Sequence, residues 1–597
     1  MTLQPIAAVL IAAGLSQSPT PPATALDQVQ VTASRVELPL TQTLASVSVI
    51  TRADIERIGA IDILDLLRRQ VGIDLARTGG SGSSTSMFVR GTNSNQVLVL
   101  LDGVRVASAN TGGFTWEHLA PEQIERIEIV RGPRASVWGS DALGGVIAIT
   151  TRRGKGANAA LRVGSNARYD LSAGWAGGSD DWRLGVQAGG QSWGGINATL
   201  PGNFSFDPDR DGYDNRNLSL RADGEWSAQR LGVVLYASDA DVAFDQGESN
   251  ARNHALALTV AGPLSADWSH ELVLGQAGER LDTPAFAQRF DTERWQLDWL
   301  LRRAFGESHS VAVGVNLLRE QGANVNTFSA REVYSESRRN AAAFATVVGS
   351  FNPLEYEVAL RRDDNSVYGG ATTAQAGIGA RFEPARVYAN WGQGFRAPNL
   401  NELYSPGFGG AFAGNRNLQP ERSRSIEIGI EALLGETTVN LNRYRTNISQ
   451  LIAFQGQNFQ AININRAEID GIEASATRSV GAASVRVSAT HLTAVDARTG
   501  LQLLRRPKRR LDTELAFPVG AQGSLSVALG YVSERRDFGG PLKPYLLTEI
   551  NYRQPVARDW NLGLRIGNAL DRDYQLARGF ATPGREYLLT LSWNPAQ

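Results

Sequence analysis

Cysteine is absent from all 597 residues, which excludes disulfides, thiolate metal sites and cysteine nucleophiles. Histidine is scarce: His118, His254, His270, His309 and His491 are scattered and indicate neither a zinc site nor a histidine-based catalytic centre. Charge of one sign is lacking too, since 59 basic and 60 acidic side chains leave a formal net charge of -1, and no global field recruits nucleic acid. No stretch approaches the roughly 18 uncharged apolar residues of a membrane helix, so a place in a membrane requires strands. A phosphate loop is missing as well. RGPRASVWGSDALGGVIAIT (131–150) sets glycines before an apolar run, but Gly144 is followed by Gly145 and Val146, where phosphate chemistry needs lysine and a hydroxyl. Those glycines serve another purpose.

The chain is too long for one ordinary core of about 100 to 200 residues. From residue 156 onward one theme repeats. In SVAVGVNL (310–317), Val311, Val313, Val315 and Leu317 alternate with Ala312, Gly314 and Asn316, and SLSVALGY (524–531), NLGLRIGN (561–568) and EYLLTLSW (586–593) do the same. Period-two alternation makes strands with two different environments. A soluble sandwich is the alternative, but residues 156–597 are hard to fit in one. At roughly 20 residues per strand and connection they make about 22 strands, a transmembrane antiparallel β-barrel of the plugged size. Residues 36–155 differ. DIERIGAIDILDLLRR (54–69) carries Ile55, Ile58, Ile61, Leu64 and Leu67 at helical spacing, and FVRG (88–91), QVLVLLDGVRV (96–106), IERIEIVRG (124–132) and GVIAITTR (145–152) read as strands. This is a small α/β domain, the expected plug of the barrel lumen. Ahead of it, IAAVLIAAGL (6–15) and Ala23-Thr24-Ala25 read as a secretory signal over 1–25, although no lysine or arginine precedes Arg35.

Two acidic clusters stand out. DPDRDGYDNRNL (207–218) places Asp207, Asp209, Asp211 and Gly212 as a calcium loop of the EF-hand kind does, but Leu218 stands where that loop needs a bidentate glutamate, which excludes the EF-hand. LSLRADGEW (218–226) and RLGVVLYA (230–237) form a hairpin that returns the chain to the same rim, where it meets Asp239, Asp241 and Asp245. Either these are solvated acidic loops, or a hard divalent cation with oxygen ligands relieves their repulsion. The basic run RRPKRR (505–510) follows the turn DARTG (496–500).

LRRQVGIDLARTGGSGSS, MFVRGTNSNQVLVLLDGVRV and IERIEIVRGPRASVWGSDALGGVIAITTR resemble the plug signatures of TonB-dependent outer-membrane transporters. GFRAPNLNELYSPGFGGAFAGNRNLQPERSRSIEIG (394–429), INRAEIDGIEAS (464–475) and IGNALDRDYQLARGFATPGREY (566–587) resemble the barrel motifs of the same family. The likeness runs from about residue 27 to the C-terminus, and within the family it is nearest to the cobalamin receptors. Gln70-Val71 departs from the usual Leu-Pro before Gly72, and Asn594 to Gln597 trail past Trp593, where the family usually ends.

The resemblance implies a monomeric importer in the bacterial outer membrane, with domains at 26–35 (Ton box), 36–155 (plug) and 156–597 (barrel). It implies that WGSDALGG is structural, turning the plug backbone beside the wall by positive φ and the lack of a Cβ, and that Arg90, Arg131 and Arg134 pair with lumen carboxylates. DQVQVTASR (27–35) resembles the Ton box, so Asp27, Gln28, Val29, Gln30, Val31, Thr32 and Ala33 are expected to add as a strand to TonB of the TonB–ExbB–ExbD complex. RTGGSGSSTSM (77–87) and ASANTGGFTW (107–116) correspond to apical loops that face the cargo, giving Ser83, Ser84, Thr85, Asn110, Thr111, Gly112 and Gly113 as its contacts. Small hydroxyl and amide groups suit a large neutral ligand, although loops are commonly rich in such residues. Calcium in matching extracellular loops makes Asp209, Asp211 and Asp239 the best-aligned ligands, although Ser238 replaces an expected tyrosine and SWGGIN (192–197) lacks an earlier acidic ligand. RRPKRR then lies at the outer rim, against the lumen or lipopolysaccharide phosphate rather than nucleic acid.

The resulting reading is TonB-dependent import of cobalamin, with a ferric siderophore or another metal chelate as the alternative cargo. A passive porin is disfavoured by the plug, and an outer-membrane enzyme by the lack of a catalytic constellation. Val31→Pro removes a backbone donor and fixes φ, so strand addition to the partner fails. Cargo binding at the cell surface is expected to survive and uptake to be lost. Uptake by the variant at the normal rate would show that 27–33 is not the coupling segment.

Overall fold

A computed structural model describes residues 42–595, apart from 180, 307, 408–410, 456–457, 465 and 521, and ahead of them residue 35 and the backbone of 30–31 and 38–39. Twenty-two antiparallel strands run from Gly156–Gly164 to Glu586–Trp593, and these two pair with each other, Arg162 opposite Thr590, so the barrel has no free edge. In the strand His309–Asn326 the predicted alternation is realised. Val313, Val315 and Leu317 lie exposed on the outside, while Ala312, Asn316 and Leu318 are buried inside. The outer face therefore carries the apolar band that lipid requires, and the lumen is left polar. Two-residue turns such as Ser227-Ala228 close one rim, and the long connections 197–210, 397–420 and 568–585 stand on the other, the arrangement of periplasmic turns and extracellular loops.

Residues 42–151 fill the lumen. Their five-stranded sheet runs in the order Val47–Thr51, Ile124–Arg131, Gly145–Thr151, Val97–Leu101, Val104–Arg105. Ile127, Ile129, Ile147, Ile149, Val97, Val99 and Leu101 form its core. The helical periodicity at 54–69 resolves into two helices, Arg52–Ile58 and Ile63–Leu67, separated by Gly59 in the left-handed conformation (φ 61°) that ends the first. Thr51 and Asp54 cap the first helix reciprocally, and Asp62 caps the second through Asp65 N. Ile55 and Ile58 of the first and Ile63, Leu64 and Leu67 of the second are buried against the sheet.

The glycines of WGSDALGG have separate reasons. Gly139 adopts φ 82° and lies under the Arg361 guanidinium, where a Cβ would come within 2.7 Å of a nitrogen. Gly144 and Gly145 have no positive φ; a Cβ on Gly144 would overlap the Thr92 side chain, and one on Gly145 would lie 2.5 Å from the Val130 carbonyl oxygen. Close approach of backbones, more than turn geometry, excludes side chains there. Gly144→Ala is expected to destabilise the plug by roughly 1–3 kcal/mol through overpacking, and adding Thr92→Gly to recover most of that loss. Calorimetry of the plug transition measures both; heat resistance of the barrel should not change.

Candidate functional site

Three regions correspond to the sites expected from the sequence, and polar contacts between plug and wall position the first two. The first is the N-terminal coupling segment. Gln30 and Val31 form an extended pair with Pro39 and Leu38, while Asp27, Gln28, Val29, Thr32 and Ala33 lie outside the described residues. Directly after this segment, Arg35 Nη2 donates to Asp298 Oδ1 on the barrel wall at 2.9 Å, and its guanidinium stacks 3.8 Å above the plug residue Trp138. Arg302 Nε donates to the Arg35 carbonyl at 3.0 Å, and Arg35 holds φ at 61°. A non-glycine residue keeps that backbone conformation only when its surroundings impose it. Arg35 thus ties the coupling segment to plug and wall together, a role that the sequence reading missed because its partners are over 100 and 260 residues away.

The second region is the apical face of the plug. Ser84 and Thr111 are exposed and Gly112 and Gly113 half-buried, so these four are open to the extracellular chamber. Ser83, Thr85 and Asn110 are buried. Thr85 Oγ1 donates to the Ser83 carbonyl at 3.0 Å and accepts from Arg77 Nε at 3.2 Å, which holds the first loop in shape. The Asn110 amide donates to the Asp291 carbonyl at 2.8 Å and to Thr292 Oγ1 at 3.1 Å, and its oxygen accepts from Tyr334 at 3.0 Å. Its side chain is therefore fully engaged with the wall, and Asn110 anchors the second loop instead of facing the chamber.

The third region is the acidic rim. Asp209, Asp211 and Asp245 each offer a carboxylate oxygen within 4.8 Å of the others. Asp211 Oδ2 accepts from Ala198 N at 2.5 Å, but Asp211 Oδ1 and both oxygens of Asp245 are buried without a hydrogen-bond partner among the described residues. Asp207 is exposed beside them, its carbonyl accepting from Asn197 at 2.6 Å. Asp211 opens its strand at the extracellular rim, above the apolar band, since the outward residues at this height are Asp214, Arg216, Asp239 and Asp241. Burial, and then the charges of Asp245, Asp209 and Asp207, push its carboxyl up to about 6. Three crowded carboxylates with unmet oxygen lone pairs fit a hard divalent cation.

Asp239 and Asp241 do not join this group, which corrects the expected pairing of Asp239 with Asp209 and Asp211. The strand continues to Phe244, and along it Ser238, Ala240 and Val242 point into the lumen, so the residues between them point outward. There Asp239 pairs with Arg252 at 3.2 Å, and Asn250 donates to both Asp239 and Asp241, at 3.0 and 2.8 Å. Asp245, just past the strand end, turns inward instead.

Of the three plug arginines, two meet carboxylates. Arg90 Nη2 lies 2.8 Å from both Glu427 and Glu473, and its guanidinium covers Tyr444. Arg134 reaches Glu357 at 3.2 Å. Arg131 does otherwise: it donates to the Val71 carbonyl at 2.8 Å and to Ser46 and Ser48 hydroxyls at 3.2 and 2.7 Å, fastening segments of the plug to one another. In the basic run, Arg506 stacks 3.8 Å above the plug residue Phe88 and donates to Gly91, Thr92 and Asn93, and Arg510 pairs with Asp512 at 2.7 Å. These two arginines face the lumen.

Two family models match the chain, the TonB-dependent Receptor Plug Domain over residues 39–146 and the TonB dependent receptor-like beta-barrel over residues 106–569. The chain belongs to the TonB-dependent receptors. It is 31% identical over 612 residues to the vitamin B12 transporter BtuB of Vibrio vulnificus (strain YJ016), an alignment that covers 95% of each chain. Its fold is similar to that of the siderophore receptor PirA from Acinetobacter baumannii (TM-score 0.78, 17% identity, 93% of this chain and 99% of that one). It is similar also to a variant of the ferric enterobactin receptor PfeA from Pseudomonas aeruginosa (TM-score 0.79, 18% identity, 95% and 100%). This receptor is therefore an outer-membrane β-barrel that transports its substrate with TonB as partner.

Loss of the Arg35 contacts is expected to free the segment ahead of it. Arg35→Ala or Asp298→Asn is expected to raise the rate at which a single cysteine introduced at Gln28 reacts with a water-soluble maleimide by roughly tenfold, the effect of losing a partly buried charge contact. Because the chain has no native cysteine, the label reports that position alone. Unchanged labelling in both variants would remove Arg35 from this role.

Proposed function

We propose that this receptor imports cobalamin across the outer membrane. The full-length likeness to a vitamin B12 transporter carries the reading. Two features support it: Ser84, Thr111, Gly112 and Gly113 offer hydroxyl and backbone groups without charge to the chamber, and the rim carries Asp209, Asp211 and Asp245. Calcium held by these three carboxylates joins the 197–210 loop to the 245–246 turn and neutralises their repulsion. Loops ordered in advance avoid the entropy of ordering on binding, so calcium tightens cargo binding without touching the cargo. Bound cargo loosens the hold on the coupling segment, and TonB of the TonB–ExbB–ExbD complex then adds to it as a strand and pulls. A ferric siderophore is the alternative cargo, favoured by the folds of PirA and PfeA alone.

Calorimetric titration of purified receptor with cobalamin and with a panel of ferric siderophores separates the two cargoes. Cobalamin is expected to bind, more tightly with calcium than with chelator. Asp209→Ala combined with Asp211→Ala weakens binding and abolishes the calcium dependence, whereas Asp239→Ala leaves both as they were. Equal affinity with calcium and chelator in the unmutated receptor would sink the calcium reading, and binding of a siderophore in place of cobalamin would replace the cargo.

A further inference from the structure

The strand Ala385–Arg396 ends, and the strand Glu421–Leu434 begins, at one directly opposed pair, Arg396 and Glu421, so the extracellular segment 397–420 leaves and returns at a single ion pair. Arg396 Nε donates to Glu421 at 2.7 Å. Its two terminal nitrogens grip both oxygens of Glu402 at 2.9 and 3.0 Å, a bidentate pair with Arg396 1%, Glu421 0% and Glu402 7% exposed. Glu402 sits in the short rim helix Leu400–Tyr404 and accepts from Asn399 N, while Asn399 Oδ1 accepts from Glu402 N at 2.7 Å. The helix so fixed clamps the second apical loop of the plug through three hydrogen bonds. Leu400 N donates to Ala109 O at 3.0 Å, Asn401 N to Asn110 O at 3.1 Å, and Asn399 Nδ2 to Thr111 O at 2.9 Å. Glu421 also looks inward. It accepts from the plug residue Gln96 at 2.8 Å and from Ile452 N, in the neighbouring extracellular loop, at 2.8 Å. Gln96 adjoins the sheet strand Val97–Leu101, and its carbonyl accepts from Gly144 N at 2.8 Å, in the glycine stretch that enters the next strand.

We infer that Arg396 is a positioning residue for cargo binding, which presets the rim helix over the apical loop and, through Glu421 and Gln96, joins that loop to the plug sheet. A guanidinium is suited to this position because its fork satisfies two carboxylates at fixed angles while excluding water. Lysine keeps the charge and loses the fork. The loop 108–113 then reaches the plug sheet by two routes: along its own chain, and across Asn399, Glu402, Arg396, Glu421 and Gln96. Cargo that shifts Thr111 strains the second route at Gln96. This inference rests on the reading of 108–113 as a cargo-facing loop, but the geometry of the clamp does not depend on which cargo binds.

The test uses the full-length receptor with a spin label on a single cysteine, either at Thr111 or at Thr32 in the coupling segment. The label at 111 is expected to be immobile in the unmutated background and mobile in Arg396→Lys and Asn399→Ala, with cobalamin affinity lowered about tenfold, as for a lost hydrogen bond to a charged group. Barrel heat resistance should stay unchanged in both. Gln96→Leu leaves the clamp intact, so the label at 111 should stay immobile while the cobalamin-induced change at 32 is lost. A label at 111 that stays equally immobile in Arg396→Lys and Asn399→Ala overturns the clamp, and a normal response at 32 in Gln96→Leu overturns the link to the sheet. Should the unmutated receptor fail to bind cobalamin while the label at 111 still becomes mobile in both variants, the cargo reading falls and the positioning role of Arg396 stands.

Discussion

Arg90, held between Glu427 and Glu473, embodies the constraint on which the molecule depends: a folded domain must be held in one position inside a polar lumen. An apolar plug–wall interface would resemble a protein core, and its contacts would resist sliding in every direction. Here the apolar core is centred on the plug sheet of Ile127, Ile129, Ile147 and Ile149 and meets the wall at small patches such as Val234, Ala255 and Ala257, while arginines and carboxylates make further contacts to the wall. A buried pair contributes little net stability compared with an apolar replacement, but breaking it by removing one partner costs about 3–5 kcal/mol. Such an interface fixes position and register. The seal is therefore a matter of geometry more than of adhesion.

The barrel was legible in the sequence because closure imposes one rule on every strand, and Val313, Val315 and Leu317 obey it as plainly as any other residues. The plug helices were legible for a similar local reason, the spacing of Ile55, Ile58, Leu64 and Leu67. What failed was the fine parity of strand ends. Asp239 shares a hairpin with Asp211 but lies opposite Arg216, and a strand that runs on to Phe244 sends it outward, so that only a residue beyond the strand, Asp245, escapes the alternation. Arg131 failed differently. Its sequence neighbourhood matches that of Arg134, yet its side chain bonds Val71, Ser46 and Ser48, acceptors that no spacing rule relates to it.

Long-range polar partners were the least legible. Asn110 is a small polar residue in a Ser- and Gly-rich loop, the composition of a ligand contact, and only the positions of Asp291, Thr292 and Tyr334 make it an anchor. For Arg506 and Arg510, at the outer rim, the sequence left lumen and lipopolysaccharide phosphate open, and the structure turns both into the lumen, with Arg506 over Phe88. In a barrel whose interior is polar, burial does not select apolar residues, so polarity ceases to report exposure.

Arg35 is held by wall and plug together, so its position depends on the relation between the two bodies. The apical loop is likewise fastened to the wall, through Asn110, and to the rim helix through Ala109 and Thr111. On the proposed reading, cargo bound at Thr111 and Gly112 would move the plug only by working against the wall, and Arg35, which touches both, would be displaced with it. On the same reading, the lumen interface is common to both ends, and the contact of Gln96 with Glu421 is where it joins the plug sheet.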